Sequence, residues 1–536
     1  MAAAGDPICD LVRWAVEKKP TKEEFNKRKI DVARRYKLGG IPKNSEILSR
    51  LGPVDRRRLL PLLQRKPVRT ISGVAIVAVM TRPYPCPHGR CSYCPGGPEE
   101  NTPQSYTGEE PAALRAKQNL YDPYQQVTRR LAQLEAIGHP IGKVELILMG
   151  GTFLAQPRSY QEWFVKKCLE AMNNYYSSSP AVNTASNQDN SLEEVQRINE
   201  IAHVRNVGIT FETRPDHCFE PHVDSMLRLG ATRVEIGVQI LDDEIYRRVN
   251  RGHTVGDVVR ATRVARDAGL KICYHIMPGL PGSTPSKDLE CFKKLFEDPR
   301  FRPDMLKIYP TLVLAGTELY EEWRRANYSP LTTEQAVELI TKFKEHMPVW
   351  VRTMRIQRDI PSNLVVAGVK RTDLGALVQE NLRRRGSRCL CIRCREVGHR
   401  KGEAPEPEDL TIYTTVYEAS GGKEFFLSVE DPGRRVIVGY ARLRYPGGSS
   451  RPEITEDTCI LRELHVCGPM VPVGDHGRKD SWQHRGIGSK LLEEVESLAV
   501  GDGYKRLVVT SGIGVREYYR SHGYELDGVY MVKKLV

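Results

Sequence analysis

No run of this chain is long and apolar enough to cross a membrane. The longest aliphatic stretch, Val74 to Met80, falls far short of the roughly 18 residues a helical span needs. The charged-then-apolar pattern of a secretory leader is also lacking; Met1 to Trp14 is a mixed, helix-like segment. There are no internal repeats, so a repeat architecture is not expected. What remains is ordinary globular composition, 40% hydrophobic and 27% charged over 536 residues. That is chain enough for two large domains or several smaller ones. The 13 cysteines, without a secretory signal, point to reduced thiols in the cytoplasm.

The net charge of +13 is unevenly spread. Residues 1–70 hold 18 Lys and Arg against 8 Asp and Glu, and residues 370–402 hold 10 against 3. The rest is close to neutral. Two basic blocks beside neutral domains suit a polyanion, although a solvated basic surface would look the same. Phosphate contacts position a nucleic acid without reading its sequence, so charge says no more than that. Within the first block, short basic helices are broken by Pro20, Gly39-Gly40, Pro42 and Gly52-Pro53. Lys27, Arg34 and Arg35 fall on nearby helical turns.

From Val74 onward, apolar strand-like runs alternate with longer amphipathic stretches. The strands are Val74–Met80, Val144–Met149, Gly208–Glu212, Arg233–Gln239, Ile272–Met277 and Leu306–Tyr309. Near-continuous apolar strands separated by helices predict a parallel sheet covered on both faces. Six units predict a partial (β/α)6 barrel over 71–385, with functional residues at the C-terminal strand ends. Gly150-Gly151-Thr152, Glu212-Thr213-Arg214 and Gln239 stand there. Lys307 and Tyr309, two residues apart on one strand, point to the same side, as do Glu212 and Arg214. Lys307 and Tyr309 are candidates to hold a substrate; ion pairing is the other reading for Glu212 and Arg214. Residues 325–385 read as helical. Residues 386–410 form a cysteine-rich linker, and 411–536 a second, mixed α/β domain.

Six cysteines gather in two tight groups. Cys86-x4-Cys91-x2-Cys94 directly follows the first barrel strand. Three thiolates on one loop hold three irons of a 4Fe–4S cluster and leave the fourth open. Zinc with His88 as fourth ligand is the alternative.

Here the sequence resembles the radical SAM superfamily, with four residues in the first gap where three are usual. It further resembles the Elongator catalytic-subunit family, on ordered motifs. These are Cys86-Pro-His with Cys91-x-x-Cys-Pro-Gly-Gly-Pro98, Gln104-Ser-Tyr-Thr-Gly108, Met149-Gly-Gly-Thr-Phe153, Glu212-Thr-Arg-Pro-Asp216, Glu235-Ile-Gly-Val-Gln239, Asn250-Arg-Gly-His-Thr254, Lys307-Ile-Tyr-Pro-Thr311 and Arg358-Asp-Ile-Pro361. The resemblance implies that S-adenosylmethionine binds the open iron. Gly150, Gly151 and Thr152 would meet its amino group, and Gln239 with Met277–Gly282 would line the adenosyl pocket. It implies tRNA as partner, its anticodon stem-loop gripped by residues 1–70, with accessory subunits or self-association.

In the second domain, Gln483-His484-Arg485-Gly486-Ile487-Gly488 precedes a helix over Gly488–Leu498. Glycines admit a pyrophosphate to the backbone, and the helix N-terminus favours its charge. With the strands around it and Tyr518-Tyr519-Arg520, this order resembles the GNAT acetyltransferase fold. The resemblance implies acetyl-CoA, with Leu464, His465 and Val466 meeting the pantetheine arm and Tyr518 or Tyr519 protonating the leaving thiolate. A phenol of pKa about 10 suits a thiol of about 8.5.

The second cysteine group, Cys389-x-Cys391-x2-Cys394, lies in the linker with His399 five residues on. Three thiolates and an imidazole form a common structural zinc set. A second iron–sulfur cluster is the alternative, without strand–loop context.

The function expected from the resemblance is a radical transfer of the acetyl carbons to C5 of the tRNA wobble uridine, ending in a carboxymethyl group. Two rivals stand beside it. One is a protein lysine acetyltransferase with the iron–sulfur domain as scaffold. The other is a tRNA-binding module with vestigial catalysis. A radical methylthiotransferase is disfavoured, because no domain with extra cluster cysteines precedes the barrel.

Overall fold

The computed structural model describes residues 6–66, 70–176, 190–400, 402–403, 405–468 and 486–535. Gln483 and Arg485 of the glycine-rich loop lie outside the described residues. None of the described helices is long and apolar enough to cross a membrane.

The basic N-terminal block is a folded unit. Helices Pro7–Lys18, Lys22–Arg35, Asn44–Ser49 and Pro53–Leu63 enclose Leu11, Phe25, Val32, Leu48 and Leu63. Asp6 caps the first helix and a Thr21–Glu24 capping box starts the second. Burying one apolar stripe leaves Lys27, Arg34 and Arg35 exposed.

The strands, in chain order, are β1 (Ala75–Met80), β2 (Lys143–Met149), β3 (Arg205–Thr213), β4 (Ala231–Gln239), β5 (Lys271–Ile276), β6 (Met305–Ile308), β7 (Val313–Leu314), β8 (Arg352–Ile356), β9 (Val365–Ala367), β10 (Thr411–Ala419), β11 (Gly422–Glu430), β12 (Ile437–Tyr445), β13 (Thr458–Val466), β14 (Arg506–Val509), β15 (Glu525–Asp527) and β16 (Tyr530–Lys534). The first sheet is wholly parallel, in the order β1-β2-β3-β4-β5-β6-β8. Val77, Leu146, Phe211, Val234 and Ile272 pack it against the outer helices. This is the partial barrel the sequence predicts, with one strand more. β8 lies where the sequence reads as helical; its arginines at 352 and 355 interrupt the apolar run that marks a buried strand. β7 and β9 form a separate two-stranded ribbon.

The second sheet runs β10-β11-β12-β13-β14-β16-β15, antiparallel except for β13 and β14. Those two pair only over Thr458–Leu461 and Arg506–Val509. Beyond Leu461, β13 stays on β12 as far as Val466 but parts from β14. The helix Ile487–Gly501 packs across β12 and β13 beside this gap.

The second domain docks on the N-terminal end of the barrel strands. The backbone of Gly512 meets Val207, and that of Gly514 meets Arg205 and Asn206, at the start of β3; a Cβ on either would collide at 2.2 and 2.5 Å. Ile460, Val508, Ile513 and Tyr530 join the barrel's own apolar core. A buried ionic chain runs through the joint. Arg462 holds Asp304 at 2.7 Å and Glu424 at 2.6 Å; Arg444 holds Glu424 at 2.9 Å and Asp267 at 2.5 Å. Arg442 joins Glu463 at 2.8 Å and Asp304 at 3.5 Å. Burial pushes the Asp304 carboxyl up, but Arg462 and Arg442 outweigh it and hold the group well below its usual range.

Removing one member of such a chain strands its partners in a dry interior. Asp304→Asn should cost about 3–5 kcal/mol in a denaturant titration. It should also split one calorimetric unfolding transition into two. Unchanged stability with a single transition would contradict this account of the joint.

Candidate functional site

The first cysteine loop opens at the C-terminal end of β1, opposite the docked domain. Each thiol has its own polar neighbour: Cys86 Sγ lies 3.3 Å from Thr152 Oγ1, Cys91 Sγ 3.2 Å from His88 Nε2, and Cys94 Sγ 3.2 Å from Ser105 Oγ. The buried Arg251 donates to Cys91 at 3.6 Å and to the Gly237 carbonyl at 2.6 Å. A hydrogen bond from Cys94, with Arg251 beside it, holds the Cys91 thiol well below its ordinary range against burial. Among the described residues, these thiols are not one of the groups gathered within 4.8 Å that suit a single ion. Three thiols on one loop with cationic neighbours, following a barrel strand, fit a multi-iron cluster better than one tetrahedral zinc.

Beside the loop, β2 ends in Gly150 (φ +127°) and Gly151 (φ +87°). A Cβ on Gly150 would come within 2.3 Å of Thr81 Oγ1, so glycine is required twice over, by conformation and by space. At the end of β4, Gln239 takes a left-handed backbone (φ +73°) without being glycine. Its side chain is buried, and Oε1 has no hydrogen-bond partner among the described residues. An orphaned acceptor beside the cysteine loop is what a cradle for a polar ligand leaves when described without it. Asp288 closes the neighbouring turn, accepting from Gly279 N at 2.8 Å and Ser283 Oγ at 2.6 Å.

The barrel interior is polar. Tyr106 Oη donates to Glu212 at 2.8 Å; Lys307 Nζ binds Glu212 at 3.3 Å and also Glu235; His275 Nε2 lies 2.9 Å from Glu235. Burial raises the Glu235 carboxyl, but Lys307 and His275 bring it well below its usual range. Tyr309 packs edge-on against His275 at 5.6 Å, and burial pushes its phenol up to about 12. Glu212 thus pairs with Lys307, whereas Arg214 turns to Asp216 at 2.9 Å and to His88.

Below this layer lies a cavity of about 1560 Å³ shared by both domains. Glu235 and Lys307 line it from the barrel, and Leu464, His465, Val466 and Tyr518 line it from the second domain. The parting of β13 from β14 leaves the backbone edge of Leu464–Val466 without a strand partner on that side among the described residues. Gly486 (φ +75°) opens the helix Ile487–Gly501. The Tyr518 hydroxyl lies 3.0 Å from where a Cβ on Gly488 would sit, and is itself buried without a hydrogen-bond partner among the described residues. Tyr519 is instead buried in the domain core, edge-on to Tyr524 at 5.6 Å.

Cys389, Cys391 and Cys394 do gather within 4.8 Å of one another. Lys344 Nζ lies 3.3 Å and Thr353 Oγ1 3.5 Å from Cys391 Sγ. His399 does not join them; its Nε2 faces Glu396 at 3.7 Å. Sequence reasoning left Arg251 and Tyr106 without a role, although both stand inside quoted motifs. It passed over Lys344, a lysine on an amphipathic helix that gives no sign of burial.

Residues 83–295 match the radical SAM superfamily, 303–384 the radical SAM C-terminal domain, 393–524 the acetyltransferase (GNAT) family and 8–71 the ELP3 N-terminal domain. Fold and site therefore define a radical SAM barrel joined to a GNAT acetyltransferase domain. The chain is 50% identical to the tRNA uridine(34) acetyltransferase of Methanocaldococcus jannaschii, covering 96% of this chain and 94% of that one. It is 41% identical to Elongator complex protein 3 of Danio rerio, covering 98% and 96%. The solved structure of Methanocaldococcus infernus Elp3, lacking residues 1–46, superposes with a TM-score of 0.75 at 46% identity, covering 87% of this chain and all of that one. The chain belongs to the Elp3 family. Membership implies a 4Fe–4S cluster and S-adenosylmethionine for the barrel and acetyl-CoA for the GNAT domain.

The tight approach at Gly488 gives a local test. Gly488→Ala places a methyl group between the helix start and Tyr518, and should weaken acetyl-CoA binding about tenfold by calorimetry, a loss of about 1.4 kcal/mol. Wild-type affinity would show that acetyl-CoA does not use this helix start.

Proposed function

We propose that this protein carries the acetyl carbons of acetyl-CoA to C5 of the wobble uridine of tRNA, leaving a carboxymethyl group. The observation that carries this reading is the single chamber lined by the barrel lysine Lys307 and by the splayed strand of the GNAT domain. The name of the Methanocaldococcus jannaschii relative, tRNA uridine(34) acetyltransferase, supports tRNA uridine 34 as the target.

Held by Cys86, Cys91 and Cys94, a 4Fe–4S cluster would supply, with S-adenosylmethionine, radical chemistry able to take hydrogen from an unactivated methyl group. The protein's own residues do the rest. Gly150, Gly151, Thr152 and Gln239 orient the sulfonium ligand. Leu464, His465 and Val466 offer backbone groups to the pantetheine arm, and the loop ending in Gly486-Ile487-Gly488, with Gln483 and Arg485, takes the pyrophosphate. Lys307 and Tyr309 hold the acetyl group or the base within a dry interior, where their charge and hydrogen bonds act at full strength.

In the transfer, the acetyl methyl would give one hydrogen to the 5′-deoxyadenosyl group of S-adenosylmethionine, and its carbon would bond to C5. The C5 hydrogen would leave as a proton to water, and the electron released with it would return to the 4Fe–4S cluster, which supplies one electron to cleave S-adenosylmethionine. Hydrolysis then joins a water oxygen to the thioester carbonyl and breaks the carbon–sulfur bond. Tyr518 protonates the departing sulfur and regains its proton from solvent. Its place at the cofactor helix, against the burial of Tyr519 in the core, favours Tyr518 as the acid. Exposed Lys27, Arg34 and Arg35 would grip the anticodon stem-loop. Partner subunits are proposed from the name of the Danio rerio relative, Elongator complex protein 3.

Anaerobic reconstituted protein, given tRNA, S-adenosylmethionine, acetyl-CoA and dithionite, should form carboxymethyluridine, read by nucleoside mass analysis. Cys91→Ser should abolish it. Peptide acetylation that survives Cys91→Ser, with no modified uridine, would favour a lysine acetyltransferase instead.

The linker cysteines are proposed to hold structural zinc. Three thiolates leave the site one negative charge, which the Lys344 ammonium offsets, and a fourth ligand completes the tetrahedron. Metal analysis should find one zinc per chain beyond the iron, lost in Cys391→Ser. Zinc-free protein with wild-type stability would contradict the assignment.

A further inference from the structure

Glu200 stands near the end of the helix Leu192–Ile201, on the outside of the barrel domain. It is 5% exposed, and neither of its partners belongs to its own domain. Arg516 Nη1 donates to Oε1 at 2.9 Å and Arg520 Nη1 to Oε2 at 2.6 Å. Both arginines lie on the short GNAT helix Arg516–Arg520, which carries Tyr518 between them.

The spacing gives this clamp a direction. Residues four apart share one face of a helix, while a residue two positions on is turned about 200° away. Fixing Arg516 and Arg520 on the barrel side therefore turns Tyr518 to the opposite side. There its hydroxyl meets the start of the cofactor helix at Gly488. Gly512 and Gly514 press the preceding turn onto β3, so the segment cannot slide along the barrel. The two domains already have a joint in the chain from Asp304 to Asp267, on other strands. A separate carboxylate aimed at the tyrosine helix is not needed to hold them together.

We propose that Glu200 is a positioning residue for the thioester half of the reaction: a barrel carboxylate that sets Tyr518 through Arg516 and Arg520. This rests on the reading of Tyr518 as the acid. The clamp contributes no group to the reacting atoms. It fixes where the phenol stands, and so affects turnover without altering the cofactor's binding groups.

The test uses the full-length reconstituted protein with tRNA and acetyl-CoA, and follows release of free CoA thiol. Glu200→Gln should lower kcat roughly 10- to 100-fold, the cost of a small misplacement of a reacting group, with KM for acetyl-CoA unchanged. Formation of 5′-deoxyadenosine from S-adenosylmethionine should stay near wild type, while loss of the buried ion pair lowers the melting temperature. Glu200→Asp should recover part of kcat, and Arg520→Gln, at the partly exposed partner, should show the same kcat loss on a smaller scale. An unchanged kcat in Glu200→Gln overturns the proposal. So does a parallel fall of kcat and deoxyadenosine formation, which marks a purely structural clamp. If Glu200→Gln does not fold, Arg520→Gln decides on the same criteria. Tyr518→Phe separates the two readings. Full turnover in that variant removes the acid assignment itself, whereas lost turnover there with full turnover in Glu200→Gln removes only the clamp.

Discussion

The chain of buried charges from Asp304 through Arg462, Glu424 and Arg444 to Asp267 is the constraint on which the rest depends. Charges out of water are tolerated only when every one has its partner. Its two ends, Asp304 and Asp267, come from the barrel and its middle, Arg462, Glu424 and Arg444, from the GNAT sheet, so the chain is satisfied only when the two halves meet in one register. Apolar contact alone, through Ile460, Val508 and Tyr530, would allow neighbouring arrangements. The ionic chain selects one, and with it the placement of β13 under the barrel.

That placement has a functional consequence. The cysteine loop lies at the C-terminal end of the barrel strands, and the GNAT domain covers the N-terminal end. Between them lies the hydrogen-bonded layer of Tyr106, Glu212, Lys307, Glu235 and His275. An ordinary barrel fills this space with branched apolar side chains. Here ion pairs replace them, leaving a polar interior above a large cavity. Lys307 sits where the layer meets that cavity. On the proposed reading, a thioester on the splayed strand and a ligand at the cysteine loop address one space from opposite ends.

Much of this was legible in the sequence. The cysteine spacing, the apolar strands and the glycine-rich helix start each carry a local physical signature, and ordered together they identify both halves. The seventh barrel strand was not legible, because Arg352 and Arg355 break its apolar pattern. Nor was the joint: Arg442 and Arg444, at alternate positions of β12, carry no sign of burial in the sequence, and only the docked domain shows that they are buried. His399 illustrates a further limit. Sequence proximity to Cys394 suggested a ligand, whereas the short turn after Cys394 sends the imidazole toward Glu396. The different settings of Tyr518, at the start of the helix Ile487–Gly501, and Tyr519, in the domain core, also needed three dimensions, since adjacent residues in a helix face different surroundings.

The central claim is that both halves act on one acetyl group in one chamber. Acetyl-CoA with a fully deuterated methyl group tests it directly, when supplied to the full-length protein with tRNA, S-adenosylmethionine and a reductant. The account predicts that the 5′-deoxyadenosine formed carries deuterium taken from that methyl group. Unlabelled 5′-deoxyadenosine, formed while the modified uridine accumulates, would contradict it.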